Sequence, residues 1–170
     1  MSTLSVSSAY YASSVADFLT ESRESILGAL ASNSGSIEAS QRDAWLTEIE
    51  VLKRALEGLE GTLFLEFVVP RVGSRIDAVV VSGSTVFVIE FKVGEREFRT
   101  HDYDQAWDHA LDLKNFHLAS HAAPILPILV PTEAEHRELE ARARRTTWSL
   151  PPCDATRSTW RWQFDALPET

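Results

Sequence analysis

Arg75-Ile-Asp77-Ala-Val-Val-Val81, then Ser82-Gly83-Ser84-Thr85, then Val86-Phe-Val-Ile-Glu90-Phe-Lys92 reads as two β-strands joined by a tight turn. Val, Ile and Phe dominate both runs, and Gly83-Ser84 suits a two-residue loop whose first central residue needs positive φ. That turn sets Asp77 directly across from Glu90. Alternation then puts Asp77, Glu90 and Lys92 on one face, with Ile76, Ala78, Val80, Phe87, Ile89 and Phe91 on the other. Like charges directly opposite destabilise a sheet. Two carboxylates converging on one point are also the hard oxygen ligands that Mg²⁺ or Mn²⁺ takes. The bland alternative is an exposed hairpin whose acids are offset by Lys92 and Arg75 as surface ion pairs. Burial weighs against it, because Val79, Val81, Val86 and Val88 make the acid face apolar as well. A sheet covered on both sides is expected, as in a three-layer α/β/α domain of the α/β class with a mixed sheet.

The chain has 170 residues, enough for one compact domain with appendages. Cys153 is the single cysteine, so no intrachain disulfide can form. No secretion signal and no apolar run of about 20 residues is seen, which leads to the expectation of a soluble cytoplasmic protein. The formal charge of −9 argues against bulk electrostatic adhesion to nucleic acid but leaves room for a local basic groove. Candidate cations for such a groove are Arg71, Arg75, Lys92, Arg96, Arg99 and the cluster Arg142-Ala-Arg144-Arg145.

Along the chain, residues 1–36 are expected to form an amino-terminal helical extension, with one helix over Val15–Leu30 broken by Asn33-Ser-Gly-Ser36. A stronger helix is expected from Ile37 to Leu59, with Trp45, Ile49, Leu52, Leu56 and Leu59 at helical spacing and Gly61 as its stop. Leu63–Val69 reads as a strand ended by Pro70. Asp102 and Gln105 resemble a capping box opening a helix to about His117. Pro124–Val130 is a short strand in which Pro127 favours an edge or bulge. The core is thus expected over residues 37–131. Residues 132–170 are expected to form a helix at Thr132–Arg145 and an aromatic tail with Trp160, Trp162 and Phe164 at strand alternation. The element order indicates a mixed sheet with helices on its faces.

Asp77, the hairpin and Glu90-Phe91-Lys92 together resemble the core of the PD-(D/E)XK nuclease superfamily, with a restriction-endonuclease-like fold. Ser74-Arg-Ile-Asp77 matches the strand motif before the turn, and Gln105 stands where the branch related to RecB nucleases opens its next helix with Gln-x-x-x-Tyr. Here that motif reads Gln105-Ala-Trp-Asp-His109. The chain from about residue 9 to 132 further resembles the amino-terminal nuclease-like module of bacterial Schlafen-like helicase proteins. The likeness is carried by Tyr10-Tyr11 with Asp17-Phe18-Leu19, Ile26–Leu30, Trp45–Leu52, Phe64-Leu-Glu66 with Pro70-Arg71, Asp104-Gln105 through Lys114, and Pro127–Val130. No Gly-x-x-x-x-Gly-Lys-Ser/Thr loop is present, so no ATPase is expected in the chain.

The resemblance implies a metal-dependent nuclease in which Asp77 and Glu90, with the main-chain carbonyl of Phe91, hold Mg²⁺ or Mn²⁺. Lys92 then positions the attacking water or stabilises the pentavalent phosphate. It also implies a further acid on the first core helix. Glu48 fits, three residues after Trp45 and four before Leu52; Glu66 is the alternative, interrupting an apolar strand, unless it pairs with Arg71 or Arg75. Gln105 is read either as a phosphate or water ligand or as a plain cap, and His109 as able to reach the same site. His117 and His121 have zinc-like spacing without an evident third ligand. Two other functions compete: a catalytically inactive nucleic-acid-binding or docking module, and a domain that regulates a fused or separate helicase. Phage defence or nucleic-acid repair follows from the resemblance, while DNA against RNA, and strandedness, stay open.

Overall fold

The computed structural model describes residues 8–35 and 38–134 and the main chain of Cys153–Asp154. The expected helix at Thr132–Arg145, the Arg142–Arg145 cluster and the aromatic tail lie wholly or mainly outside these residues. One mixed sheet runs in the order β1 (Ala9–Ser14), β2 (Thr62–Val68), β3 (Arg75–Ser82), β4 (Thr85–Lys92), β5 (Ile125–Pro131) and β6 (Cys153–Asp154). β1 to β4 pair antiparallel, and β5 and β6 add in parallel. Among the described residues no helix is long and apolar enough to cross a membrane.

Helices cover both faces, giving the expected α/β class. α3 (Ala39–Ala55) lays Trp45, Ile49 and Leu52 against Leu65, Val80, Phe87 and Ile89. α4 (Thr100–Phe116) lays Ala110 and Leu113 against Phe64, Phe67, Val79 and Val88 on the other face. Each of these large side chains contributes on the order of 1.5–3 kcal/mol by leaving water. The hairpin pairs as its turn dictates: Ser82 faces Thr85, Val80 faces Phe87 and Ala78 faces Ile89, with Gly83 at φ 56°.

Several assignments differ from the sequence reading. The helix expected over Val15–Leu30 is two, α1 (Val15–Thr20) and α2 (Arg23–Ser34), because Ser14 caps Asp17 and Ser22 caps Ser25, giving two separate starts. The segment before them is not all helical, since Ala9–Ser14 is the edge strand; Asn33 Nδ2 donates to the Tyr10 carbonyl and blunts that edge. α3 stops at Ala55 rather than Leu59, with Gly58 at φ 79° just beyond it. Gly61, expected as the stop, serves a different end: a Cβ there would stand 2.3 Å from the Val81 carbonyl oxygen. Pro127 lies opposite Val88 within β5, an interior strand whose register to β4 is unbroken, rather than at an edge or a bulge.

Candidate active site

The acids gather where the regular alternation of two neighbouring strands fails together. On β2, Leu65 faces the α3 side and Phe67 the α4 side, and between them Glu66 adopts φ 52°, a left-handed conformation rare for a residue with a side chain. The β2–β3 register sets Leu65 against Ala78 and Phe67 against Ile76, so Glu66 stands opposite Asp77. On β3, Ala78 belongs to the α3-side core while Ile76, expected on the same face, packs with Val79 on the α4 side. The change of face between them falls on Asp77. The β3–β4 pairing ends at Ala78 and Ile89, and Asp77 Oδ2 instead accepts from the main-chain N–H of Phe91 at 2.8 Å. Asp77 therefore fills the fork where the hairpin opens, beside Glu90.

β4 supplies the other two members of the motif. Glu90 is 3 % exposed on the α4 side of the sheet. Its Oε1 accepts from Lys92 Nζ at 2.9 Å and from Gln105 Nε2 at 2.6 Å, and the Gln105 carbonyl oxygen accepts from the same Lys92 Nζ at 2.8 Å. Lys92 is held in place at the end of the ladder, because Thr132 N donates to its carbonyl and Gly94 N to Thr132 Oγ1. His109, one turn after Gln105 on α4, brings Nδ1 to 3.1 Å from Glu90 Oε2, a contact lacking the alignment of a hydrogen bond. Its interaction with Glu90 raises the imidazole above its usual value.

The capping-box reading of Asp102 and Gln105 does not hold. α4 starts two residues earlier, at Thr100, and Asp102 lies in the first turn, buried, with Oδ1 3.8 Å from Lys92 Nζ and 3.1 Å from His101 Nε2. A buried carboxylate there is stabilised by the helix N-terminus and by the ammonium group.

Glu48 on α3 joins the cluster from the opposite face. Burial pushes its carboxyl well up, and the charges of Asp77, Glu66 and Glu90 push in the same direction. Glu66, the alternative acid, is buried and already engaged: Trp45 Nε1 donates to Oε1 at 2.6 Å, and Arg75 Nε lies 2.5 Å from Oε2. Its partner is thus Arg75, not Arg71. Burial raises its carboxyl although Trp45 and Arg75 pull the other way. The structure brings Glu90, Lys92 and Gln105 into direct contact and sets Asp77 beside them through the Phe91 N–H, with the Phe91 ring in the α3-side core. Glu48 lies within electrostatic reach of the acids without a direct contact. Trp45 and Asp102 are the neighbours that the sequence reading gave other work, as a core residue and as a cap. Their contacts cross between elements, and only the proximity of Trp45 to Glu48 on one helix hinted at them. His117 and His121 lie elsewhere, against Ser120 Oγ and the Asn115 carbonyl.

No family model, curated protein or solved structure matches this chain.

Among the described residues no three carboxylate, imidazole or thiol groups are gathered as a metal-holding set. The donor chemistry nevertheless suits Mg²⁺ or Mn²⁺: Asp77, Glu90 and Glu48 offer hard oxygens with mutual repulsion that a cation would offset. Asp77 is pushed up from 3.8 to about 7, first by burial and then by Glu90, against the Phe91 N–H. Because the folded value lies above the unfolded one, the Asp77 contribution to stability is complete below about pH 4 and is lost as the pH rises through about 7. The melting temperature of EDTA-treated protein is therefore expected to fall between these limits more steeply than that of Asp77→Asn. Parallel melting curves for the two proteins would show that Asp77 ionises freely.

Proposed function

We propose that the chain is a metal-dependent nuclease that hydrolyses phosphodiester bonds in DNA or RNA. The observation that carries this reading is the convergence, at one open fork of the sheet, of Asp77, Glu90 and a Lys92 ammonium held by Glu90 and Gln105. The resemblance to PD-(D/E)XK nucleases supports it, because the residues of that motif are the ones that meet. Asp77 and Glu90, with Glu48 behind them, would hold the ion. A bound Mg²⁺ supplies a water of lowered pKa and charge neutralisation at the phosphate.

The remaining chemistry belongs to the chain's own side chains. Lys92 sits on the same carboxylate oxygen that Gln105 holds, so its cation is already oriented before any substrate arrives. A preoriented cation stabilises charge that develops on phosphate oxygens without reorganising during reaction. Gln105, bonded to both Glu90 and Lys92, positions the pair and can turn its amide toward a phosphate or water. Phage defence or nucleic-acid repair, and association with a helicase, belong to this proposal through the family resemblance.

A second reading draws on one feature. Both oxygens of Glu90 already have neighbours within the chain, Lys92 and Gln105 on Oε1 and His109 on Oε2, which suits a catalytically silent nucleic-acid-binding or docking module. One experiment separates the two. The purified chain is incubated with single- and double-stranded DNA and RNA in Mg²⁺, Mn²⁺ or EDTA, and its melting is followed with and without Mn²⁺. The nuclease reading expects cutting that EDTA abolishes, and a stabilisation of about 2.7 kcal/mol when Mn²⁺ is at a hundredfold excess over its dissociation constant. Glu90→Ala is expected to lose most of that stabilisation. Equal shifts in both proteins, with no cutting, would favour the silent module.

A further inference from the structure

Beside the proposed catalytic fork lies a second polar arrangement that the cleavage chemistry does not use. Glu66 is a carboxylate in the middle of an apolar strand, its side chain 3 % exposed, on a backbone at φ 52°. Burying that charge is costly unless it is paired, and the left-handed backbone adds a cost on the order of 1–3 kcal/mol. What the strain achieves is a turn of the carboxylate toward the α3 side. There Trp45 Nε1 donates to one oxygen at 2.6 Å, and Arg75 Nε stands 2.5 Å from the other. An apolar residue at 66 would have filled the strand at no such cost.

The beneficiary is Arg75. Its side chain is 45 % exposed, its guanidinium lies 5.9 Å from the centroid of the Tyr10 ring, and it precedes Asp77 by two positions on β3. Glu66 pairs with the guanidinium at Nε, and Tyr10 is a further hydrogen-bonding neighbour of the same group, which still stays partly exposed. A guanidinium is the group able to grip a phosphate with two parallel hydrogen bonds. Arg75 is thus fixed by a buried carboxylate below and an aromatic face beside it, at the rim of a fork lined with acids that would otherwise repel a phosphodiester.

We propose that Arg75 is a phosphate-binding residue, held by Glu66, that anchors the nucleic-acid backbone on the α3 side of the fork. This rests on the reading of the fork as a nucleic-acid site. Glu66 is accordingly read as a positioning residue, since one oxygen accepts from Trp45 Nε1 and the other stands in an ion pair with Arg75 without the alignment of a hydrogen bond.

The test measures binding apart from cleavage. Fluorescein-labelled oligo(dT) and oligo(U) are titrated with the full chain in EDTA, by fluorescence anisotropy, over a series of KCl concentrations. Arg75→Gln is expected to weaken binding at least about tenfold, the loss of a charge-assisted contact, and to reduce the slope of log K against log salt by about 0.7, one phosphate on a single strand. Arg42→Gln removes the same charge from an exposed position on α3 that has no part in the fork, and is expected to leave both quantities as in the parent. Arg75→Lys, which keeps a counter-charge for Glu66 but not the fork, guards against misfolding: it is expected to melt near the parent and still bind more weakly. Glu66→Gln is expected to weaken binding in the same direction with the salt slope retained, because the cation remains but is no longer held. Unchanged affinity and slope in Arg75→Gln and Arg75→Lys would overturn the proposal and make Arg75 a counter-charge for Glu66 alone. Absence of binding by the parent would overturn it as well. Arg75-dependent binding without any metal-dependent cutting would uphold Arg75 while refuting the nuclease reading.

Discussion

Lys92→Met is expected to slow Mg²⁺-dependent phosphodiester cleavage by about 10² to 10³, the loss seen when one well-placed electrostatic donor is removed from a hydrolytic site. Lys92 Nζ contacts Glu90 Oε1 and Gln105 Oε1 and lies 3.8 Å from Asp102, so its charge is fixed in space before substrate arrives. Charge that builds only in the transition state is where such a group acts, so turnover should fall while substrate affinity stays close to the parent's. Methionine keeps much of the stem's packing. Affinity for Mn²⁺ should rise, since a cation two residues from Glu90 has gone. The check is single-turnover cleavage alongside oligonucleotide and Mn²⁺ titrations of both proteins. A variant that cuts at the parent's rate but melts several degrees lower would reduce Lys92 to a structural counter-charge, and the docking-module reading would lead.

Gly61→Ala is expected to lower stability by about 3 kcal/mol, at the upper end of what overpacking costs. The added Cβ would sit 2.3 Å from the Val81 carbonyl oxygen, and the obstacle is backbone inside the sheet that no rotamer change can move. Relief would require parting β2 from β3 at Thr62 and Val81, and it would disturb the Gly61 carbonyl, which accepts from Val15 N at 2.9 Å and so ties α1 to the sheet. For a chain of this size the melting temperature should drop by roughly 10 °C. Gly28→Ala is the control: it lies within α2, a Cβ added there would meet nothing within 4 Å, and alanine is the better helix former, so its melting should equal or exceed the parent's. Equal melting of Gly61→Ala and the parent would mean that the close approach of the strands is absent.

Much of the site was legible because a hairpin is a local object. Gly83-Ser84 fixes the turn, and the turn fixes the register as far as Ala78 and Ile89, one position short of Asp77 and Glu90. The hairpin thus carries Asp77 toward the Glu90-Phe91-Lys92 triplet, while its bond to the Phe91 N–H lies beyond the ladder. Glu48 was singled out because the family resemblance implies a further acid on the first core helix, with Glu66 as the alternative, and helical spacing placed Glu48 on the inward face beside Trp45 and Leu52. Gln105 was placed near the fork, but its double bond to Glu90 and Lys92 depends on how α4 lies over β4. Asp102 was misread because a capping box and a buried first-turn carboxylate share one local pattern; only the position of Lys92 separates them.

What the sequence determined by itself was therefore the α/β class, the two-sided burial of the hairpin and the identity of the acids and lysine in the proposed site. These follow from side-chain periodicity and from turn chemistry, which act over a few residues. What only the tertiary structure decided was the paired failure of alternation at Glu66 and Asp77, the clamp of Trp45 and Arg75 on Glu66, and the gathering of α3, β3, β4 and α4 around one fork. A left-handed glutamate inside an apolar strand opposes local preference. It persists where packing from two helices and a neighbouring strand over-determines it, and no window of sequence contains those partners together.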